Sequence, residues 1–234
     1  MPQNSFTPAG DSSFAALLRQ GAPWATVTGF NKASSVVDAG TTDIMFQARL
    51  QGSTFHCSRG FMYFDLEGTA LPSYTKFIKL RKARLTLTVS SKSGSQANAH
   101  KFRIFAMDPA TAGFNPHIND YVNFHNNVSS ADFEVTGTGT LNCDIIGGRL
   151  LKWIETKIKR REDLYLMIRN FNDVGGTDPS GNNYAACRSP TYGTPALKPE
   201  FTLSYTLRQG RKALGGGFSN GSVKARGTNG FGNF

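Results

Sequence analysis

The chain has 234 residues, enough for one large domain or one domain with arms, and it is 39% hydrophobic, 12% aromatic and 18% charged. That balance excludes a chain disordered by composition. Net charge is +10, which suits nucleic acid, an acidic surface or an anionic polymer as partner without choosing among them.

Taken in chain order, MPQNSFTPAGDSSFAALLRQG has no basic segment followed by an apolar run. The expectation is a protein with no signal peptide, made in a cytoplasm. Residues 1–40 read as an N-terminal arm. Within it, Asp11 or Ser12 caps a predicted short helix that runs through Phe14, Leu17 and Leu18 and ends near Gly21. From Thr41 the period changes to two. GFMYFDL is apolar on both faces and predicts a central, fully buried strand. ARLTLTVS sets Ala83, Leu85, Leu87 and Val89 against Arg84, Thr86, Thr88 and Ser90. KFRIFAM, DLYLMIRN and EFTLSYTL alternate in the same way, which predicts half-buried strands with one wet face. KFRIFAM also interleaves Lys101, Phe102, Arg103 and Phe105, the composition of an aromatic stacking strand, although core alternation explains it equally well.

One stretch breaks the pattern. GGRLLKWIETKIKR spaces Leu150, Leu151, Ile154 and Ile158 as a helical stripe, so a helix is predicted over 147–161. Its basic run, Lys157, Lys159, Arg160 and Arg161, reads as a solvated helix end with cations favoured by the macrodipole; an anion-binding patch is the alternative. FNDVGGTDPSGNN reads as a long polar loop. Turn-bounded short strands with a single helix predict an all-β fold, an antiparallel β-sandwich of jelly-roll type over residues 41–207, followed by a Gly-rich basic C-terminal arm over 208–234.

The residues that carry chemistry are few. Cys57, Cys143 and Cys187 are far apart and odd in number, which argues against a disulfide scaffold, and no CxxC suggests zinc. No run of about 18 apolar residues predicts a membrane span. No HExxH, G-x-S-x-G, P-loop or dinucleotide fingerprint is present, so no enzymatic activity and no cofactor are expected. His117 and His125, in HINDYVNFH, are placed to share a strand face but lack a third ligand. Asp173 and Asp178, with Asn182 and Asn183, are weak calcium candidates: hard oxygen donors on a Gly-rich loop, without EF-hand spacing. Glu155, Glu162 and Asp163 read as local ion pairs around the helix end.

The order of the strand motifs resembles the DNRLRE-type β-sandwich modules of bacterial surface and phage structural proteins, some of them carbohydrate-binding. SRGFMYFDLEGTALPS is similar to the family's arginine, "FDL" strand and Leu-Pro turn, and IKLRKARLTLTV to its next strand. FEVTGTG with LLKWIETKIKRREDLYLMIRN is similar to the segment that bears the family's tryptophan, and ACRSPTYGTPALKPEFTLSYT to its final loop and strand. The chain departs from the pattern at Ala186-Cys187-Arg188, Asp163-Leu164-Tyr165 and Lys198-Pro199. Arg59, Asp65, Trp153 and Tyr205, within the matching stretches, read as structural residues.

The resemblance and the arms together imply a non-enzymatic structural or assembly protein, a bacteriophage virion component (capsid-associated, decoration or tail protein). Its partners would be other virion proteins, in repeated copies within a symmetric particle. In the tail, Phe218, Phe231 and Phe234 are the candidate anchors and Arg211, Lys212, Lys224 and Arg226 the candidate contacts to an acidic rim. A carbohydrate-binding or adhesion module is the alternative, with Tyr184 and Tyr192 as glycan platforms. A jelly-roll capsid subunit with a genome-facing basic tail is a further one. Nucleic acid is not the favoured partner, because no reading motif is present.

Overall fold

The computed structural model describes residues 3–6, 14–29, 32–38, 43–66, 77–96, 99–109, 117–189 and 192–207. The first elements are β1 (Gln3–Phe6), β2 (Phe14–Gly21), α1 (Trp24–Gly29), β3 (Ser35–Asp38), β4 (Asp43–Gln51), β5 (Thr54–Phe64), β6 (Phe77–Ser93) and β7 (Lys101–Met107). A 3-10 turn over Ile118–Val122 leads to β8 (Phe124–Ser129), β9 (Phe133–Glu134), β10 (Gly139–Ile145), α2 (Gly148–Arg160), β11 (Leu164–Asn170), α3 (Phe171–Gly175), β12 (Asn182–Arg188) and β13 (Glu200–Leu207). Every described strand pairing is antiparallel. The fold is all-β and sandwich-like, with two short helices, α1 and α3, besides α2.

Two long strands make the curl. β6, 17 residues long, pairs with β13 over its first half and with β12 over its last residues, while β10 lies on its other edge. Val89 shows the split: it faces Gly139 of β10 on one side and Cys187 of β12 on the other. β5 forks in the same way. β2 lines one edge, and on the other β4 pairs up to Ser58 before β11 takes over at Gly60. Where β4 and β11 part, the Phe46 ring lies across the backbone of Gly60, so close that a Cβ there would sit 2.1 Å from it. Glycine is required at this close approach for lack of space.

The curl encloses one apolar cluster, including Ile44, Phe46, Phe64, Leu85, Ile104, Leu166 and Phe201. Helix α2 closes one end of it with Leu150, Leu151, Ile154 and Ile158, the expected stripe. Gly147 and Gly148 take positive φ (75° and 73°) to turn the chain from β10 into the helix. Arg161 ends it in the left-handed region, where the Glu162 N–H donates to the Lys157 carbonyl.

A second cluster lies on the outer face of β5, β7 and β11 and includes Trp24, Val27, Phe61, Phe105, Tyr121, Tyr165 and Met167. β11 is therefore buried on both faces, and the wet face expected for DLYLMIRN is absent, covered by the outer cluster; on β7 Phe105 and Met107 are covered in the same way, whereas Lys101 and Arg103 keep the half-exposed face expected for KFRIFAM. Phe102 and Phe105 enter opposite clusters, so β7 presents no stacking platform.

The N-terminal helix expected over residues 11–21 is corrected to a strand where it is described. β2 pairs residue by residue with Phe55–Met62 of β5. Ala16 joins the inner cluster and Leu17 the outer one. A short helical stripe buries one face only; as a strand the same residues satisfy β5's backbone and fill both layers. The expected boundary near residue 40 is likewise no edge of the sheet, since β1, β2 and β3 all join it.

Gly60→Ala is expected to destabilise the fold by about 1–3 kcal/mol through overpacking, read as a lower urea midpoint at unchanged m-value. Adding Phe46→Leu should recover part of the loss. Gly137→Ala, with open space around its Cβ position, should change little.

Candidate functional site

On the solvent face of β6, β10 and β13 the alternation expected from sequence places only polar groups. Across the strands, Asn142, Thr86 and Glu200 form one row, and Asp144, Arg84 and Thr202 the next. Lys82 pairs with Ser204 beyond them. All of these but Asp144 line an open recess of about 450 Å³. Lys82 donates to Asp144 at 2.6 Å, and the Arg84 guanidinium reaches both of its carboxylate oxygens at 2.6 and 3.1 Å. Thr86 Oγ1 donates to Asn142 Oδ1 at 3.0 Å. The Arg84 hydrogen bond, aided by Lys82, outweighs partial burial and holds the Asp144 carboxyl at about 2. So fixed an anion is a poor general base near neutrality; what the recess supplies is a ladder of hydrogen-bond donors and acceptors without an aromatic platform.

The sheet behind it is held by an ionic cluster under the outer layer. Arg59, on β5, is 1% exposed. Its Nε and Nη2 donate to the two Asp173 carboxylate oxygens at 2.8 and 2.7 Å. Its Nη1 donates to the Tyr121 carbonyl at 2.6 Å and its Nη2 also to the Thr28 carbonyl at 2.9 Å. Arg169 approaches the same carboxylate, at 2.7 and 3.1 Å. The Tyr121 ring lies 3.9 Å from the Arg59 guanidinium carbon, and the Phe124 ring 4.2 Å from that of Arg169. Burial opposes the ionised Asp173, yet the two guanidinium groups prevail and hold its carboxyl well below the usual carboxylate range. Burial likewise pushes the Cys57 thiol, beside this cluster, up to about 12.

Asp173 is thus no calcium ligand in this arrangement: its oxygens are occupied by two arginines. Asp178 is exposed, and its backbone carbonyl accepts from Gln96 Nε2 at 3.1 Å. Of the asparagines named with them, Asn182 is exposed, and the buried Asn183 donates to Gln96 Oε1 at 2.6 Å. Among the described residues no group of three His, Cys, Asp or Glu side chains is arranged to hold a metal. His117 and His125 do not share a strand face. His117 caps the 3-10 turn through Nδ1, whereas His125, on β8, meets Asp108 at 2.9 Å. Tyr184 is half-buried on β12, and Tyr192 lies against Arg188, its ring centre 4.4 Å from the guanidinium carbon; neither lines the recess. Glu155 pairs with Lys159, and Glu162 with Lys157 and Arg160, as the local ion pairs expected, whereas Asp163 meets the Tyr63 hydroxyl instead. Arg211, Lys212, Phe218, Lys224, Arg226, Phe231 and Phe234 lie outside the described residues.

The recess residues Lys82, Asn142 and Glu200, and Asp144 beside them, were not singled out from sequence. The polar alternation of β6 and β13 was the available signal; the pairing that brings β10 alongside was not. No family model matches this chain, and no curated protein matches it.

Asp173→Asn is expected to cost about 3–5 kcal/mol by leaving two buried guanidinium groups without a counter-charge. Because its folded carboxyl titrates below its unfolded value, the ionised Asp173 contributes stability above about pH 4, and that contribution is lost as pH falls through the folded pKa. Thermal melts from pH 6 to 2 should show a fall in Tm below pH 4 that is shallower in the variant.

Proposed function

We propose that the protein is a non-enzymatic structural or assembly module, a component of a bacteriophage-like particle that docks through its terminal segments. The observation that carries this reading is the placement of those segments. β1 adds to the sheet as a four-residue strand against β13, from Gln3 opposite Ser204 to Phe6 opposite Phe201. Residues 208–234, basic and rich in glycine and phenylalanine, continue from the end of β13. A short strand added to a sheet edge is a unit that neighbouring copies exchange readily. A basic segment with aromatic anchors suits an acidic groove on a neighbour. The charged side chains inside the module serve its cohesion, through Arg59, Arg169 and Asp173. The likeness to the DNRLRE-type modules, as a proposal, agrees with this role.

A second reading, a carbohydrate-binding module, is favoured by the polar recess rather than by Tyr184 and Tyr192. Its ladder of hydroxyl, amide and ionic groups matches the hydrogen-bonding capacity of a sugar.

Deleting residues 208–234 should leave the module folded, since β13 ends at Leu207, and should abolish incorporation into the particle. Incorporation at normal occupancy would overturn the assembly reading. Glycan-array binding that is lost in Arg84→Ala and Asn142→Ala would establish the second one.

A further inference from the structure

Cations are unevenly placed on the described surface. Several are tied to carboxylates: Lys82 and Arg84 to Asp144, Arg103 to Asp132, Lys157 to Glu162 and Arg188 to Asp43. One end of the molecule differs. Lys79 and Arg81 on β6, Arg149, Lys152, Lys159 and Arg160 on α2, and Arg161 after it are all exposed. Glu155 of α2 accepts the Leu80 backbone N–H at 2.9 Å, which sets the middle of the helix beside the strand residues that flank Leu80, and Arg149, three residues before Lys152, continues the same exposed side. Lys152 and Lys159, three residues before and four after Glu155, share its side of the helix.

The acids at this end are already engaged: Glu155 by Lys159 and the Leu80 N–H, Glu162 by Lys157 and Arg160. Among the described residues no carboxylate lies within 4 Å of the charged groups of Lys79, Arg81, Arg149, Lys152 or Arg161. The same end also launches the tail, since Thr206 and Leu207 pair with Lys79 and Phe77. From there Arg208, Arg211, Lys212, Lys224 and Arg226 follow with no acidic residue.

We propose that this basic face, formed by Lys79, Arg81, Arg149 and Lys152, binds the phosphate backbone of nucleic acid without reading its sequence. Three features select that partner. The face is built from long cations rather than aromatic or aliphatic anchors; the exposed Ile146 and Leu207 stand at its margins. Protein–protein contacts draw their affinity from buried anchors and deplete lysine at their centres, whereas phosphate contacts need charge alone. The 13-residue helix is about 20 Å long, a span that faces about six phosphates along one strand of a duplex. The face also offers no fork of side chains held in place to read a base edge. This goes beyond the assembly role, and it assigns the body of the module, not the tail alone, a contact with polyanion. A particle protein so equipped would lie with α2 toward packaged nucleic acid.

The test uses the full chain and a mixed-sequence 24-base-pair DNA duplex, with binding followed by fluorescence anisotropy from 50 to 200 mM NaCl. Four phosphate contacts give a slope of log K against log salt of about −3.6, steeper still with the tail. The triple variant Lys79→Gln, Arg81→Gln, Lys152→Gln should make that slope shallower by about 2.7 and weaken binding at 50 mM about tenfold or more. All three positions are exposed, so its Tm should stay that of the parent. Lys32→Gln, an exposed cation preceding Ala33 of the outer cluster, should bind as the parent does. A triple variant with unchanged slope and affinity would overturn the proposal and leave binding to the tail. Displacement of the duplex by poly-glutamate at equal charge concentration would overturn it in favour of an acidic protein partner.

Discussion

A carboxylate shared by two arginines under the outer layer is the constraint around which the rest is arranged. Arg59 sits at the middle of β5, the strand that touches β2, β4 and β11. Its guanidinium cannot enter an apolar interior alone, since an unpaired buried charge is among the costliest defects a fold can carry. Asp173 answers the charge from α3, and backbone carbonyls of Thr28 and Tyr121 take the remaining donors. The consequence is positional. Helix α1, the 3-10 turn, β11 and α3 must all arrive at one point for the cluster to be satisfied. A buried network of this kind is no strong source of net stability, but it penalises every packing in which one member is missing.

The outer layer exists because of that arrangement. A sandwich strand normally needs one apolar face, yet β5, β7 and β11 carry two, and the second is covered by short irregular elements rather than by a second sheet. Tyr121 and Phe124 lie over the guanidinium groups of the ionic cluster, and Trp24 packs in the same outer layer. Among the described residues nothing covers the polar rows on β6, β10 and β13 in this way.

Local pattern made much of this legible. The stripe of α2 is visible in GGRLLKWIETKIKR almost to the residue, and the double-sided GFMYFDL correctly indicated a central buried strand. What stayed hidden depends on partners far along the chain. Arg59 and Asp173 are 114 positions apart, so Asp173 read as a loop donor when its environment is that of a core anion. FAALLRQG has a weak helical stripe and equally a strand's two faces, and only the waiting edge of β5 decides between them. The wet face expected for β11, and for β7 beyond Arg103, failed for the same reason: alternation reports contrast between faces, not whether another segment folds over the second one. The polar recess was half visible, as the outward residues of two strands whose neighbour β10 could not be placed.

The length of β6 has a mechanical meaning. One strand serves both halves of the curled sheet, with β13 lying antiparallel along its first half and the tail departing from the end of β13. A load applied through the tail along the strand direction is carried in shear, by the whole row of hydrogen bonds between β13 and β6 at once, instead of opening them one after another. Through β6 the same load passes to β10 on one edge and β12 beyond, and so into both halves. A module tethered at this point would resist tension along its strands far better than tension across them, and the direction of pull would decide which it meets.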